Sequence, residues 1–193
     1  FGKLQQGANI DGYPTLAGDG GTQWYRSTSN GSTMVESTGG VFYFAGKITS
    51  SALYNMILCC PVLANGYIQV LDVGGTSKVR ANFGTGGAGN VQADAAFTLD
   101  ALHFVTVRFE RVGGTTCNLG VQVDNDTEVT ASAGAGADCF AALVGGLVDL
   151  FGGTWGSPKG QTLFFAAKKG RPSDEAVALV KAAFKAKYAS LPV

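Results

Sequence analysis

His103-Phe104-Val105-Thr106-Val107-Arg108-Phe109-Glu110 is the stretch that decides the fold. Val105, Val107 and Phe109 fall on one side of an extended chain, and Thr106, Arg108 and Glu110 on the other, which is the period of a half-buried strand. The same reading extends outward in both directions. Val41-Phe42-Tyr43-Phe44-Ala45-Gly46-Lys47-Ile48 is β-branched and aromatic, and it is apolar at nearly every position. That pattern belongs to a central strand covered on both faces. Tyr67 to Val73 alternates and runs into Gly74-Gly75, a hairpin signal. Lys78 to Phe83 then returns with Val79, Ala81 and Phe83 on one face. Asn55 to Leu63, Asn118 to Asp124, Phe140 to Phe151 and Gln161 to Ala167 supply further strands. Residues 1–37 read as a turn-rich start of loops and short strands, Gly84 to Gly89 as a flexible hairpin loop, and Ala131 to Ala137 as a stretch of small residues.

Only the end is helical. Ser173 is placed to cap, and Asp174 and Glu175 sit where the helix dipole favours acids. Val177, Val180, Phe184 and Tyr188 recur at spacings of three and four, and Lys181, Lys185 and Lys187 lie toward the C-terminal end. The expected architecture is all-β: one antiparallel β-sandwich domain over 1–193, closed by one amphipathic helix over 172–190. A lone helix must bury its stripe against the sandwich or a neighbour.

Composition narrows the function. The chain has 193 residues and a formal net charge of zero, with no basic stripe, so nucleic acid is not an expected partner. No run of about 18 apolar residues exists, so no membrane span is expected either. Charged residues are 15% of the chain, below the usual roughly 25%, which fits a surface partly covered by a partner. Phe1-Gly2-Lys3 reads as the start of a processed product or of a piece of something longer. Cys59, Cys60, Cys117 and Cys139 form no zinc spacing. They are expected as small buried thiols made in a reducing cytoplasm, with Cys117–Cys139 the alternative if any bridge forms.

The order of these pieces resembles the laminin-G-like branch of the concanavalin A-like jelly-roll family. Asn30-Gly31-Ser32-Thr33 leading into Val41-Phe42-Tyr43-Phe44 resembles the family's opening loop and core strand. Phe104 to Val107, Leu119 to Asp124, and Phe164 to Glu175 with its helix cap, ending in Ala186-Lys187-Tyr188, resemble later parts. Pro172 stands where a leucine is usual, and Asn125 where the hairpin glycine is usual. The resemblance implies a concanavalin A-like sandwich of the kind found in phage virion proteins (tail fibres and capsid decorations) and in lectin-like adhesion modules.

Catalysis finds no constellation. Glycanases on this sandwich use an E-x-D-x-x-E strand, and the residues two beyond Glu36, Glu110, Glu128 and Glu175 are Thr38, Val112, Thr130 and Val177. His103 is the single histidine, no G-x-S-x-G elbow accompanies it, and a structural or surface role is expected. Gly84-x-Gly86-x-x-Gly89 is not followed by a helix start, so it is not read as a dinucleotide site. Asp124-Asn125-Asp126-Thr127-Glu128 reads as a hairpin turn that also gathers oxygens calcium accepts, through Asp124, Asp126 and Glu128. Asp19 and Asp72 are weaker metal candidates. Trp24, Tyr25, Tyr67 and Trp155 are candidates to stack on sugar rings, Trp155 foremost because it lies in a Gly-rich loop.

The expected function is a non-enzymatic structural virion protein of a phage, a capsid decoration or fibre module packing against other virion proteins and copies of itself. It would be made in the host cytoplasm and reside in the virion. No cofactor is required, with calcium the one open metal. The alternative is a lectin-like module that binds a host-surface glycan.

Overall fold

The computed structural model describes residues 5–19, 25–50, 55–59, 66–84, 90–113, 116–134, 140, 144–151 and 159–193. Thirteen strands are formed among them: β1 (Gln5–Ile10), β2 (Tyr13–Asp19), β3 (Tyr25–Asn30), β4 (Gly39–Ile48), β5 (Asn55–Cys59), β6 (Gly66–Val73), β7 (Thr76–Phe83), β8 (Val91–Ala96), β9 (Leu102–Val112), β10 (Thr116–Val123), β11 (Val129–Gly134), β12 (Leu147–Leu150) and β13 (Lys159–Lys169). The helix α1 spans Asp174–Lys187. The strands make two antiparallel sheets. One has seven strands in the order β1-β2-β13-β4-β9-β10-β11, and the other six in the order β3-β12-β5-β6-β7-β8.

Side-chain alternation explains how the sheets meet. Val105, Val107 and Phe109 of β9 are each no more than 1% exposed and face the six-stranded sheet. Phe42 and Phe44 of β4 point the same way, as do Ile68 and Val70 of β6 and Val79, Ala81 and Phe83 of β7. Phe109 packs its ring 4.6 Å from Phe140 and 5.7 Å from Phe83, which ties the two sheets at their centre. The β6–β7 hairpin turns through Gly74 (φ 63°) and Gly75 (φ 80°). Two successive positive φ values suit the right-handed twist of paired strands, and only glycine adopts both without steric cost.

The seven-stranded sheet has a second apolar face. Val41, Tyr43 and Ala45 of β4 alternate with Phe42 and Phe44, so they point away from the main core. Phe104 of β9 joins them, and α1 covers the group with Val180, Phe184, Tyr188 and the Leu191 that follows. Phe184 lies flat on Phe164 of β13, with ring centroids 3.9 Å apart and planes 7° from parallel. The Ser173 hydroxyl accepts from the Ala176 amide at 3.3 Å and caps the helix, while Asp174 and Glu175 occupy its first turn.

The N-terminal 37 residues, read as loops and short strands, supply β1 to β3, each pairing within a sheet. Three other points differ from or add to the sequence reading. Val91–Ala96, to which the sequence reading assigns no element, is β8, because Val91, Ala93 and Ala95 alternate onto the core although alanine is a poor strand former. Part of the small-residue stretch is β11, held by six consecutive pairs to β10. Cys117, buried at 2% exposure, is disulfide-bonded rather than a free thiol, and its partner's sulfur lies outside the described residues.

Replacing Phe184 tests whether α1 is part of the fold. Phe184→Ala should lower the unfolding free energy by about 3 kcal/mol, read as a shift of the urea midpoint with an unchanged slope.

Candidate functional site

Two polar clusters stand on the outer faces of the sandwich, and their chemistry differs. The first lies on the seven-stranded sheet beside α1. Arg108 of β9 is 6% exposed and spreads its guanidinium over four acceptor atoms, one of them the Pro172 carbonyl at 3.4 Å. Nε and Nη2 donate to the two oxygens of Glu128, the former at 2.8 Å, and Nη1 donates to Asp174 at the start of α1. Gly120 of β10 makes this possible: a Cβ there would stand 2.1 Å from Glu128 Oε1. Arg171 reaches Glu110 at 3.0 Å and approaches Glu128 at 3.8 Å. Lys181, on the buried side of α1, donates to Gln122 Oε1 at 3.0 Å and to the Asp124 carbonyl. Asp124 turns its carboxylate inward, accepting from the Phe104 amide at 2.8 Å and from His103 Nδ1 at 2.6 Å. His103 Nε2 donates to the Thr98 carbonyl at 2.9 Å.

The electrostatics agree with this geometry. The Glu128 carboxylate raises the pKa of Arg108 against the cost of burial, and Arg108 in turn lowers that of Asp174. Burial lowers the pKa of Lys181, opposed by the charge of Asp124. Burial also works against the charged form of His103, but the hydrogen bond and charge of Asp124, with the Thr98 carbonyl, outweigh it and raise the imidazole above 6.5. Both ring nitrogens face acceptors, so the imidazolium satisfies both. A groove of about 740 Å³ runs between α1 and this cluster, lined by Arg108, Gln122, Glu128 and Lys181. Its charged groups already hold one another. The cluster is a clamp that fixes α1 and the β10–β11 turn to the sheet.

Asp124–Glu128 forms the turn between β10 and β11, and two of its carboxylates, those of Asp124 and Glu128, have partners within the protein. No metal-ligating group of three or more is formed among the described residues. Asp124 is committed to His103 and Glu128 to Arg108, while Asp126 is exposed at the turn. The sequence put three carboxylates close together, but the fold brings hydrogen-bond donors to two of them from β9, His103 to Asp124 and Arg108 to Glu128.

The second cluster is on the outer face of the six-stranded sheet, and it is incomplete. Tyr67, Asn82 and Gln92 stand side by side on β6, β7 and β8. Gln69, Arg80 and Asp94 form the adjacent row. Arg80 and Asp94 make a two-pronged ion pair at 2.8 and 2.7 Å, with both side chains about one-fifth exposed. The Asn82 amide donates to the Tyr67 hydroxyl at 3.0 Å, and Tyr67 also interacts with Arg80. Asn82 Oδ1 is buried and accepts nothing. If the amide were reversed, the other end would be left over. The one other such atom among the described residues, Thr106 Oγ1, belongs to a residue fully enclosed on the face that α1 covers. A buried unpaired polar group costs about 1–3 kcal/mol, so Asn82 is the position on this face that most needs a partner.

Of the sequence candidates, Tyr67 is therefore placed with polar neighbours on an outer sheet face. Trp24 and Trp155 lie outside the described residues, as do the side chains of Tyr25 and Asp19. Asp72 accepts from the Gly75 amide at 2.8 Å and serves the hairpin turn. Sequence reasoning passed over Arg80, Asn82 and Asp94. The signal was present, since the alternation that sent Val79, Ala81 and Phe83 inward sent Arg80 and Asn82 outward.

No protein-family model matches the chain, and no curated protein matches it either. Solved structures do. A native heptameric SAP-like pentraxin from Limulus polyphemus aligns with TM-score 0.61 at 13% identity over 86% of this chain and 80% of its own. Domain 4 of a GH43 extracellular arabinanase from Geobacillus stearothermophilus, solved with arabinotriose, aligns at 0.59 and 14% identity over 93% and 82%. The mouse laminin α1 LG4-5 domains align at 0.52 and 12% identity over 86% of this chain and 41% of theirs. At these identities the likeness is one of fold, and the fold is a concanavalin A-like jelly roll.

The clamp generates two predictions. Arg108→Met should destabilise by about 3 kcal/mol because it leaves Glu128, in a largely buried position, with only the longer 3.8 Å approach of Arg171, and adding Glu128→Leu should recover most of the loss in a double-mutant cycle read by urea unfolding. His103 has a raised folded pKa, so its contribution is fully present below the unfolded value of 6.5 and is lost as pH rises through the folded value. The stability advantage of the parent chain over His103→Gln should therefore shrink on going from acidic to alkaline buffer.

Proposed function

We propose that this chain is a non-catalytic glycan-recognition module and that the Tyr67–Asn82–Arg80–Asp94 face is where it reads the sugar. The observation that carries the reading is the unpartnered Asn82 amide oxygen beside a half-exposed tyrosine. A sugar ring offers an apolar face of C–H groups with hydroxyls around its rim. Tyr67 supplies a ring for the first, since aromatic faces accept such contacts. Asn82, Gln92 and the Arg80–Asp94 pair supply donors and acceptors for the second, in the manner of a binding site whose few polar groups fix orientation.

The comparisons support the coarser part of this reading. Their shared fold includes a domain solved with a bound oligosaccharide. The absence of the E-x-D-x-x-E pattern supports a binding role over hydrolysis. Cys117 in disulfide form is chemistry of an oxidising setting, where surface glycans are met. The virion setting and its packing role draw no support from the three neighbours, and the glycan reading does not need them.

A glycan array followed by calorimetry tests the proposal. Binding to a neutral or acidic oligosaccharide should persist in chelator, because Asp124 and Glu128 are already hydrogen-bonded to His103 and Arg108. Tyr67→Ala should weaken it at least about tenfold, or about 1.4 kcal/mol. Silence across the array, or a Tyr67→Ala chain that binds as well as the parent, contradicts it.

A further inference from the structure

We propose that the β11 edge of the seven-stranded sheet pairs with the same edge of a second copy of this chain, continuing the sheet from one molecule into the next. The inference stands apart from the glycan reading. A sheet edge carries a row of unpaired backbone N–H and C=O groups, and folded proteins guard such edges with bulges, charged residues or proline. Among the described residues the two sheets end on four strands, β1, β11, β3 and β8. The register of β1 breaks between Gly7 and Ile10. That of β3 is irregular against β12, between Leu147 and Asp149, and β3 carries Arg26. β8 carries Asp94, held by Arg80.

β11 has none of these guards. Val129-Thr130-Ala131-Ser132-Ala133-Gly134 holds no charge and no proline, and it pairs with β10 through six consecutive residues without a bulge. Among the described residues, no backbone bond reaches its free side. Val129 is 39% exposed although it stands on the core-facing side of the strand, opposite the buried Val121.

The pattern also suits pairing with itself. Antiparallel pairing centred on Ala131 or on Ser132 keeps Val129, Ala131 and Ala133 of both copies on the core side and Thr130 and Ser132 on the outer side, so no face is inverted. The small side chains let a second strand approach, and Val129 becomes covered. A six-residue edge covers less than the roughly 800 Å² per partner of a standard interface, so the dimer should be reversible and concentration-dependent.

Sedimentation velocity on the intact chain over about 1–100 µM tests this. The expected result is a shift from the 19.8 kDa chain mass toward twice that value as concentration rises. In either register Thr130→Lys/Ser132→Lys sets like charges opposite one another and should raise the dissociation constant at least about tenfold. Mixing it with Thr130→Glu/Ser132→Glu should restore a heterodimer. A native far-ultraviolet spectrum for each variant separates lost pairing from lost folding. In the parent chain, β11 amide exchange should slow with concentration, which needs no substitution. A parent chain that stays at 19.8 kDa throughout, or a folded lysine variant that dimerises like the parent, overturns the proposal.

Discussion

β4 is apolar on both of its faces, and the rest of the molecule follows from that constraint. A strand with one wet face needs one partner layer, whereas a strand with none needs two. The six-stranded sheet covers Phe42 and Phe44, and α1 covers Val41, Tyr43 and Ala45. A solvent-facing helix on a sandwich could be an accessory. Here it is the third layer, and the aromatic contacts of Phe164, Phe184 and Tyr188 are its seam.

The third layer sets where polar chemistry can be exposed. Beside α1, polar side chains of the seven-stranded sheet lose water, so each of the charges beneath the helix has acquired a partner: Arg108 has Glu128 and Asp174, Lys181 has Gln122 and a carbonyl, and His103 has Asp124. Such groups are costly to bury alone, and their mutual bonding turns a liability into a fixed helix position. No helix lies on the opposite sheet's outer face among the described residues. There the ion pair of Arg80 and Asp94 is part-exposed, and the Asn82 amide remains half satisfied. On one face every buried charge is paired within the protein, and on the other one buried amide oxygen, that of Asn82, is left unpaired.

Much of this was legible in the chain. Alternation in β9 and the doubly apolar β4 identified the sandwich, and the Ser173 cap with the Val177–Tyr188 stripe identified the helix to within a turn. Strands built from alanine, such as β8 and β11, were not legible, because a small residue covers a core without announcing a β preference. Nor was the clamp. Asp124 and Glu128 look like metal ligands when read along the chain, since their cations lie about 20 residues upstream in β9 or beyond in α1 and meet them only through strand pairing. Tyr67 could be picked out as an aromatic near a hairpin. Its neighbours Asn82 and Asp94 became visible as a group only when register placed them beside it and beside Arg80.

Native-state amide hydrogen exchange, resolved by segment, tests the three-layer account most directly. If α1 is an integral layer, the interior amides of α1 should share one protection free energy with those of β4, β9 and β13, equal to that of global unfolding. If α1 exchanges through a separate and much cheaper opening while β4 stays protected, the outer apolar face of β4 does not depend on the helix, and the account is wrong.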